Sequence, residues 1–258
     1  MGYARAGHRC AMERVLALAG LPTVATRTGA HGLAVRSGAG SNDLNAVVGR
    51  RGFVPDRASL DELRSWWDGA PASWLVDEPD EALTRALVDA GWIPERTGRW
   101  CGRSLGHGPD VADARVPHAM AIEAVASAND LEQWLDVASD CGWVEDLEDR
   151  GVRRDLLRGA VGDPRQRTWL ARLDDRPVGM ARGWCSGRNV EVVDVAVRDT
   201  ARRHGVGTAL VSGVLVWGVE HGAREVVAAP SPDGWRLFDA LGFENVPVIP
   251  DACFYWAG

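Results

Sequence analysis

The sequence predicts a mixed α/β fold arranged as two consecutive α/β units. Three observations lead there. The stretch Val190–Trp217 changes from strand to helix periodicity across one short loop, the central step of an α/β unit. Short β-branched runs alternate with helical runs along the whole chain, and neither type dominates. A stretch from Gly106 to Pro117, rich in Gly, Pro and Asp and poor in apolar residues, reads as a linker. At 258 residues the chain is long for one compact domain and comfortable for two, which sets expected boundaries at 1–110 and 118–258.

In the first unit, residues 10 to 20 predict a short helix that Gly20-Leu21-Pro22 ends. Leu33–Arg36 and Ala46–Val48 are short strands around a turn-rich segment. Ser59 with Glu62 reads as a capping box opening a helix to about Trp67. Ser73–Val76 is a strand, Asp80 opens a helix with Leu83, Leu87 and Val88 on one face, and Arg99–Leu105 is a closing strand.

In the second unit, Met120–Val125 is a strand, and Asn129 caps a helix carrying Leu131, Trp134, Leu135 and Ala138. An acidic segment (Glu145, Asp146, Glu148, Asp149) precedes a helix over 152–161. Thr168–Leu173 and Val178–Cys185 form a hairpin through Asp174-Asp175-Arg176-Pro177. Val190, Val192, Val193, Val195 and Val197 form a buried strand, and Leu210, Val211, Val214, Leu215 and Trp217 mark one face of the helix that follows. Arg224–Ala229, Asp233–Leu241 and Phe254–Trp256 complete the order as strand, helix and strand.

Composition bounds the chemistry. The formal net charge is −7 and all 29 basic residues are Arg, so no overall basic character invites nucleic acid or an acidic membrane. The five cysteines are scattered, and neither they nor the six histidines form a metal motif. No metal is therefore expected, and the thiols are expected to stay reduced in a cytoplasm. No apolar run approaches the ~20 residues of a membrane span.

The loop between Val197 and Thr208 carries the chemistry. Gly205-Val206-Gly207 lets backbone N–H groups face a ligand ahead of a helix, whose dipole favours anions. Arg198, Arg202 and Arg203 add fixed positive charge suited to phosphate. A Walker loop needs a Lys-Ser/Thr pair after the glycines, and a dinucleotide turn needs its glycines directly after the strand; neither is present.

Arg202, Gly205 and Gly207 match Arg/Gln-x-x-Gly-x-Gly/Ala after a strand, and in this the segment resembles the pyrophosphate loop of the GNAT superfamily of acetyl-CoA-dependent N-acetyltransferases. Downstream, Ser231 to Phe243 resembles the family's Asn-x-x-Ala-x-x-Leu-Tyr-x-x-x-Gly-Phe, with Leu237, Gly242 and Phe243 matching and Phe238 in the usual Tyr position. Leu87–Trp92 echoes Leu237–Phe243 with one deletion. Tandem members with one degenerate half are similar in layout, so residues 1–110 are expected to be a smaller, degenerate GNAT-like unit without a cofactor loop.

The resemblance implies a GNAT fold for the second unit and acetyl transfer from acetyl-CoA to the amine of a small molecule, by direct attack in a ternary complex. Val195, Ala196 and Val197 would pair with the pantetheine arm. Arg202, Arg203, His204, Gly205, Val206, Gly207 and Thr208 would cradle the pyrophosphate, with Ser231 and Phe238 beside the donor. Glu191, fourteen residues before Gly205, matches the glutamate base of histone-modifying relatives. By strand alternation it shares a face with Val193, Val195 and Val197, whereas Asp194 faces the other way. Tyr255 is the reserve proton donor if its strand folds over the site. Alternatives are another acyl donor, including aminoacyl-tRNA, or a non-catalytic acyl-CoA-binding regulatory module. The assembly is expected to be a monomer or homodimer.

Overall fold

The computed structural model describes residues 2–40, 44–96, 98–106, 120–144 and 147–257, apart from the side chain of Glu148. The first unit runs α1 (Gly2–Leu18), β1 (Ala25–Gly29), β2 (Gly32–Arg36), β3 (Asn45–Gly49), α2 (Arg57–Trp66), β4 (Ala72–Leu75), α3 (Glu81–Asp89), β5 (Ile93–Pro94) and β6 (Arg99–Ser104). The second runs β7 (Met120–Ala124), α4 (Ala128–Asp140), α5 (Leu147–Ala160), β8 (Gln166–Leu173), β9 (Arg176–Ser186), β10 (Asn189–Val197), α6 (Val206–Glu220), β11 (Glu225–Ala228), α7 (Trp235–Ala240), β12 (Glu244–Pro247) and β13 (Cys253–Trp256).

Helix starts follow the capping chemistry, displaced from the expected residues. The Asp56 carboxylate accepts the Ser59 N–H at 2.8 Å, so Asp56 rather than Ser59 caps α2. Ser127 and Asp130 form the capping box of α4, so the cap lies two residues before Asn129. Asp174 and Asp175 both take positive φ, the two-residue turn that matches strand twist in the β8–β9 hairpin. Helix α6 buries Leu210, Val211, Val214, Leu215 and Trp217 against the sheet. It sits close because β9 presents glycine there: a Cβ on Gly183 would lie 2.8 Å from Val214 Cγ1.

The strands form two sheets. One has the order β1-β2-β3-β4-β13-β5 and the other β12-β6-β11-β10-β9-β8-β7. In both, an antiparallel hairpin leads into a parallel pair joined through a helix: β3-α2-β4 in the first and β10-α6-β11 in the second. The repeat expected from the Leu87–Trp92 echo is thus present as architecture.

Each sheet also takes a strand from the other side of the linker. β6 enters the second sheet between β11 and β12, and β13 enters the first between β4 and β5. A cut between 110 and 118 therefore divides the chain but not the sheets. Phe254 on β13 is fully buried in the core of the first sheet with Trp67, Trp74 and Trp92. Cys101 on β6 is fully buried in the core of the second. The Gly106–Pro117 linker falls outside the described residues, except Gly106.

Candidate functional site

Strand β10 carries the site because it leaves its neighbour partway. Its parallel pairing with β11 runs from Asn189↔Glu225 to Val192↔Ala228 and stops. Among the described residues, the backbone edge of Val193–Val197 that faces β11 has no strand partner, while the other edge stays paired with β9. A bulge marks the parting. Val193 opposes Arg182 and Ala196 opposes Met180, so Asp194 and Val195 stand against the single residue Ala181. Asp194 takes φ 53°, a left-handed conformation that Asp tolerates better than a β-branched residue. Its side chain is ion-paired with Arg182 at 2.7 Å.

The bulge corrects the expected alternation. Glu191, Val193 and Ala196 share one face with Trp184, Arg182 and Met180, whereas Val197 falls with Val190 and Val192 on the face toward α6. Val195 and Val197 therefore do not continue the Glu191 row, because an extra residue reverses the parity of a strand.

Past the strand, Asp199–Ala201 makes a 3-10 turn and Arg203 takes φ 66°. Gly205 follows at φ 80°, a left-handed position that admits glycine without strain, and caps α6. The first helical bond runs from Ala209 N–H to Gly205 O at 3.0 Å. The N–H groups of Val206, Gly207 and Thr208 therefore precede the first helical carbonyl partner. The arginines are less uniform than expected. Arg198 is turned to Asp140 at 2.8 Å and to the Pro177 carbonyl at 2.7 Å. Arg202 pairs with Asp199 at 3.0 Å and donates to Val197 O. Arg203 and His204 are exposed beside the helix start. The matching helix start in the first unit is already occupied by the Asp56 carboxylate, which leaves it unsuited to an anion.

Where β10 and β11 part, a cavity of about 540 Å³ opens. It is lined by Val193, Val195, Ser231, Leu237 and Phe238 from the second unit and by His8, Ala11, Arg14 and Val15 of α1. Residues of β13, the segment after β5 and Trp143 also line it. Phe238 is buried and packs edge-on to Phe243 at 5.0 Å. Ser231 is exposed and its Oγ accepts the Gly234 N–H at 3.2 Å.

Glu191 borders this cavity and is only 1% exposed. Both its oxygens accept from Arg14, Nε at 2.9 Å and Nη2 at 3.0 Å. Burial pushes its carboxyl above the ordinary range, and Arg14 pulls in the opposite direction. Sequence reasoning missed Arg14, which lies 177 residues from its partner. Tyr255 does reach the cavity, but its hydroxyl donates to Glu95 Oε2 at 2.7 Å, and burial raises its proton affinity further. A phenol so held is a poor acid toward a thiolate. Of the acidic segment, Asp149 is buried and paired with Arg153 at 3.1 Å. Glu145, Asp146 and the Glu148 side chain lie outside the described residues. Among the described residues no His, Cys, Asp and Glu group could hold a metal ion, and no helix is long and apolar enough to cross a membrane.

Residues 128–243 match the Acetyltransferase (GNAT) family. Among solved structures, a GCN5-related N-acetyltransferase from Kribbella flavida is similar over 96% of this chain and 93% of its own, with TM-score 0.65 and 20% identity. A tandem GNAT protein from the clavulanic acid biosynthesis pathway aligns over 98% and 94%, with TM-score 0.59 and 17% identity. A GCN5-related N-acetyltransferase from Sphaerobacter thermophilus aligns over 78% and 65%, with TM-score 0.55 and 15% identity. These likenesses, all at low identity, bear on the fold. A search of curated proteins finds no match.

Proposed function

We propose that this chain, whose residues 128–243 match the GNAT acetyltransferase family, is an acyltransferase that transfers an acetyl group from acetyl-CoA to the amine of a small molecule. The observation that carries this reading is the parting of β10 from β11 beside the cavity. An extended acyl-pantetheine arm can hydrogen-bond to the free edge of Val193–Val197, as a strand would. The pyrophosphate then meets the N–H groups of Val206, Gly207 and Thr208 at the start of α6, with Arg203 beside them. The thioester end lies at the cavity, where the amine waits.

The reaction proceeds by attack of the neutral amine nitrogen on the thioester carbonyl carbon. The new C–N bond forms, the C–S bond breaks, and coenzyme A leaves as thiolate. The amine's proton goes to Glu191, the buried carboxylate at the mouth of the parting, directly or through one water. Phe238 supplies no proton. An ordinary thiol has a pKa of about 8.5, so departure as thiolate near neutral pH is affordable and water can protonate it afterwards. Held in line by the strand edge and the cavity wall, the two reactants gain most of their rate from proximity.

The test is thiol release from acetyl-CoA with a panel of amines, alongside calorimetry of acetyl-CoA binding. Gly207→Glu places a carboxylate at the helix start and pushes toward Leu237, already 3.1 Å from a Cβ there. It should abolish donor binding with the fold intact. Unchanged affinity would reject the donor site. Release only when charged tRNA is supplied would replace acetyl-CoA with an aminoacyl donor, and donor binding without any transfer would leave a regulatory acyl-CoA-binding module.

A further inference from the structure

Two polar clusters line the cavity at different positions along α1, one at Arg14 and a far one at His8, and only the first belongs to the transfer chemistry. Glu191 and its counterion Arg14 lie at the thioester end. At the other end stand His8 of α1, Glu95 after β5, and Tyr255 of the exchanged strand β13.

Each of these three is held in place. The Glu95 N–H donates to Cys253 O at 2.9 Å, which ties the residue to β13. The Tyr255 hydroxyl donates to Glu95 Oε2 at 2.7 Å. Glu95 Oε1 lies over Gly98, where an added Cβ would stand only 2.1 Å away, so a glycine backbone makes room for the carboxylate. Glu95 has no cationic partner among the described residues. Arg14 is bound to Glu191, and Arg99, the other cation lining the cavity, is exposed.

His8 is fixed by its Nε2, which lies 2.8 Å from Val76 O. A carbonyl can only accept, so Nε2 carries the proton and the lone pair of the neutral ring is on Nδ1. No described residue donates to Nδ1. Burial lowers the imidazole's proton affinity, outweighing the Val76 hydrogen bond and the nearby Asp77 and Glu95 charges, which keeps the ring neutral near pH 7. The far end thus offers Glu95 Oε1 and an imidazole lone pair as acceptors for a further donor, while Glu95 Oε2 already accepts from the Tyr255 hydroxyl and the Cys253 thiol lies beside both.

We propose that this far end binds a second, protonated amine of the acceptor, so that the preferred substrate class is a diamine: one amine faces the thioester while the other is held by Glu95 and His8. This rests on the transfer reading above and specifies its acceptor. It also gives the first unit a task, since His8 and Glu95 both come from the half without a cofactor loop.

The experiment compares α,ω-diamines of increasing length, each beside the monoamine of equal length, by thiol release from acetyl-CoA with the full-length protein. A charge-assisted hydrogen bond predicts that the best diamine exceeds its matched monoamine in kcat/KM by about 10–100-fold, carried mainly in KM. In Glu95→Gln, which keeps an oxygen for Tyr255 to donate to, the diamine-to-monoamine ratio should fall to within about threefold. Equal use of diamines and monoamines by the wild-type protein overturns the proposal, and so does a preference that survives Glu95→Gln. If Glu95→Gln fails to fold by circular dichroism, the wild-type ratio decides. Should no amine release thiol although acetyl-CoA binds, the transfer reading fails separately. The far end is then judged by calorimetry of the same amine pairs on CoA-saturated protein, where equal affinities overturn it.

Discussion

Replacing Arg14 by Met tests whether the two units are joined through a buried charge. The substitution keeps an unbranched side chain lining the cavity but leaves Glu191, 2% exposed at its side chain, with neither hydrogen bond from Arg14. Removing one partner of a buried pair costs about 3–5 kcal/mol. The cost has a ceiling, because the stranded carboxyl can take up a proton. With an unfolded pKa of about 4.3 and 1.36 kcal/mol per pH unit, protonation at pH 7.5 costs about 4.4 kcal/mol, and at pH 5.5 about 1.6 kcal/mol. The sign follows from the direction of the shift. Burial raises the folded pKa of Glu191, and without Arg14 it rises further. The stability of the variant is therefore fully present below the unfolded value and is lost as pH rises toward the folded one. Wild type, with Arg14 holding the carboxylate, should lose less over the same interval. The gap between wild type and Arg14→Met should widen by up to about 2.7 kcal/mol between pH 5.5 and 7.5. Urea denaturation at both pH values measures it, and the shared strands favour a single transition. Arg14→Met/Glu191→Gln lacks the Glu191 carboxyl, so its stability should change less between the two pH values than that of Arg14→Met. A gap below about 1 kcal/mol at pH 7.5, or one that ignores pH, would refute the buried pair.

Glu191→Gln should lower turnover by roughly 10²–10⁴-fold while sparing acetyl-CoA affinity. With the folded pKa raised, the acid limb of the wild-type kcat/KM profile should lie above the ordinary value of 4.5. Turnover kept within fivefold would move the proton to Asp194 or to a water chain. Phe238→Tyr should leave turnover within about tenfold, because the thiolate departs unaided; a gain of several hundredfold would show that the native site lacks an acid it needs.

The strand-loop-helix step over Val190–Trp217 was legible because its chemistry is local: a valine run, two glycines and an apolar helical face lie within one window. The bulge was not, since a single Asp among valines gives no sign that Ala196 rather than Val195 faces Met180. Nor was the start of α1 at Gly2, eight residues before the expected one. That helix packs on strands of both sheets, and so lacks the one-sided pattern that marks a surface helix. β5 and β12 span two and four residues and carry little β-branched signal. The far end of the cavity was hidden for a related reason. His8, Glu95 and Tyr255 come from three distant stretches of sequence, and only the pairing of β13 with β4 and β5 brings Tyr255 to Glu95.

The strand exchange bears on how the protein is made. A chain leaving the ribosome normally completes one unit before the next begins. Here the first sheet lacks the strand between β4 and β5 until residues 253–256 have been synthesised, and its Trp-rich core stays open at the position of Phe254. β6 is made early but must wait for β11 and β12 before it has neighbours. Contacts so distant in sequence close slowly. A nascent chain would expose apolar edges through most of its synthesis and then close both sheets almost together, so that neither half, and no cavity between them, exists as a finished object before the other.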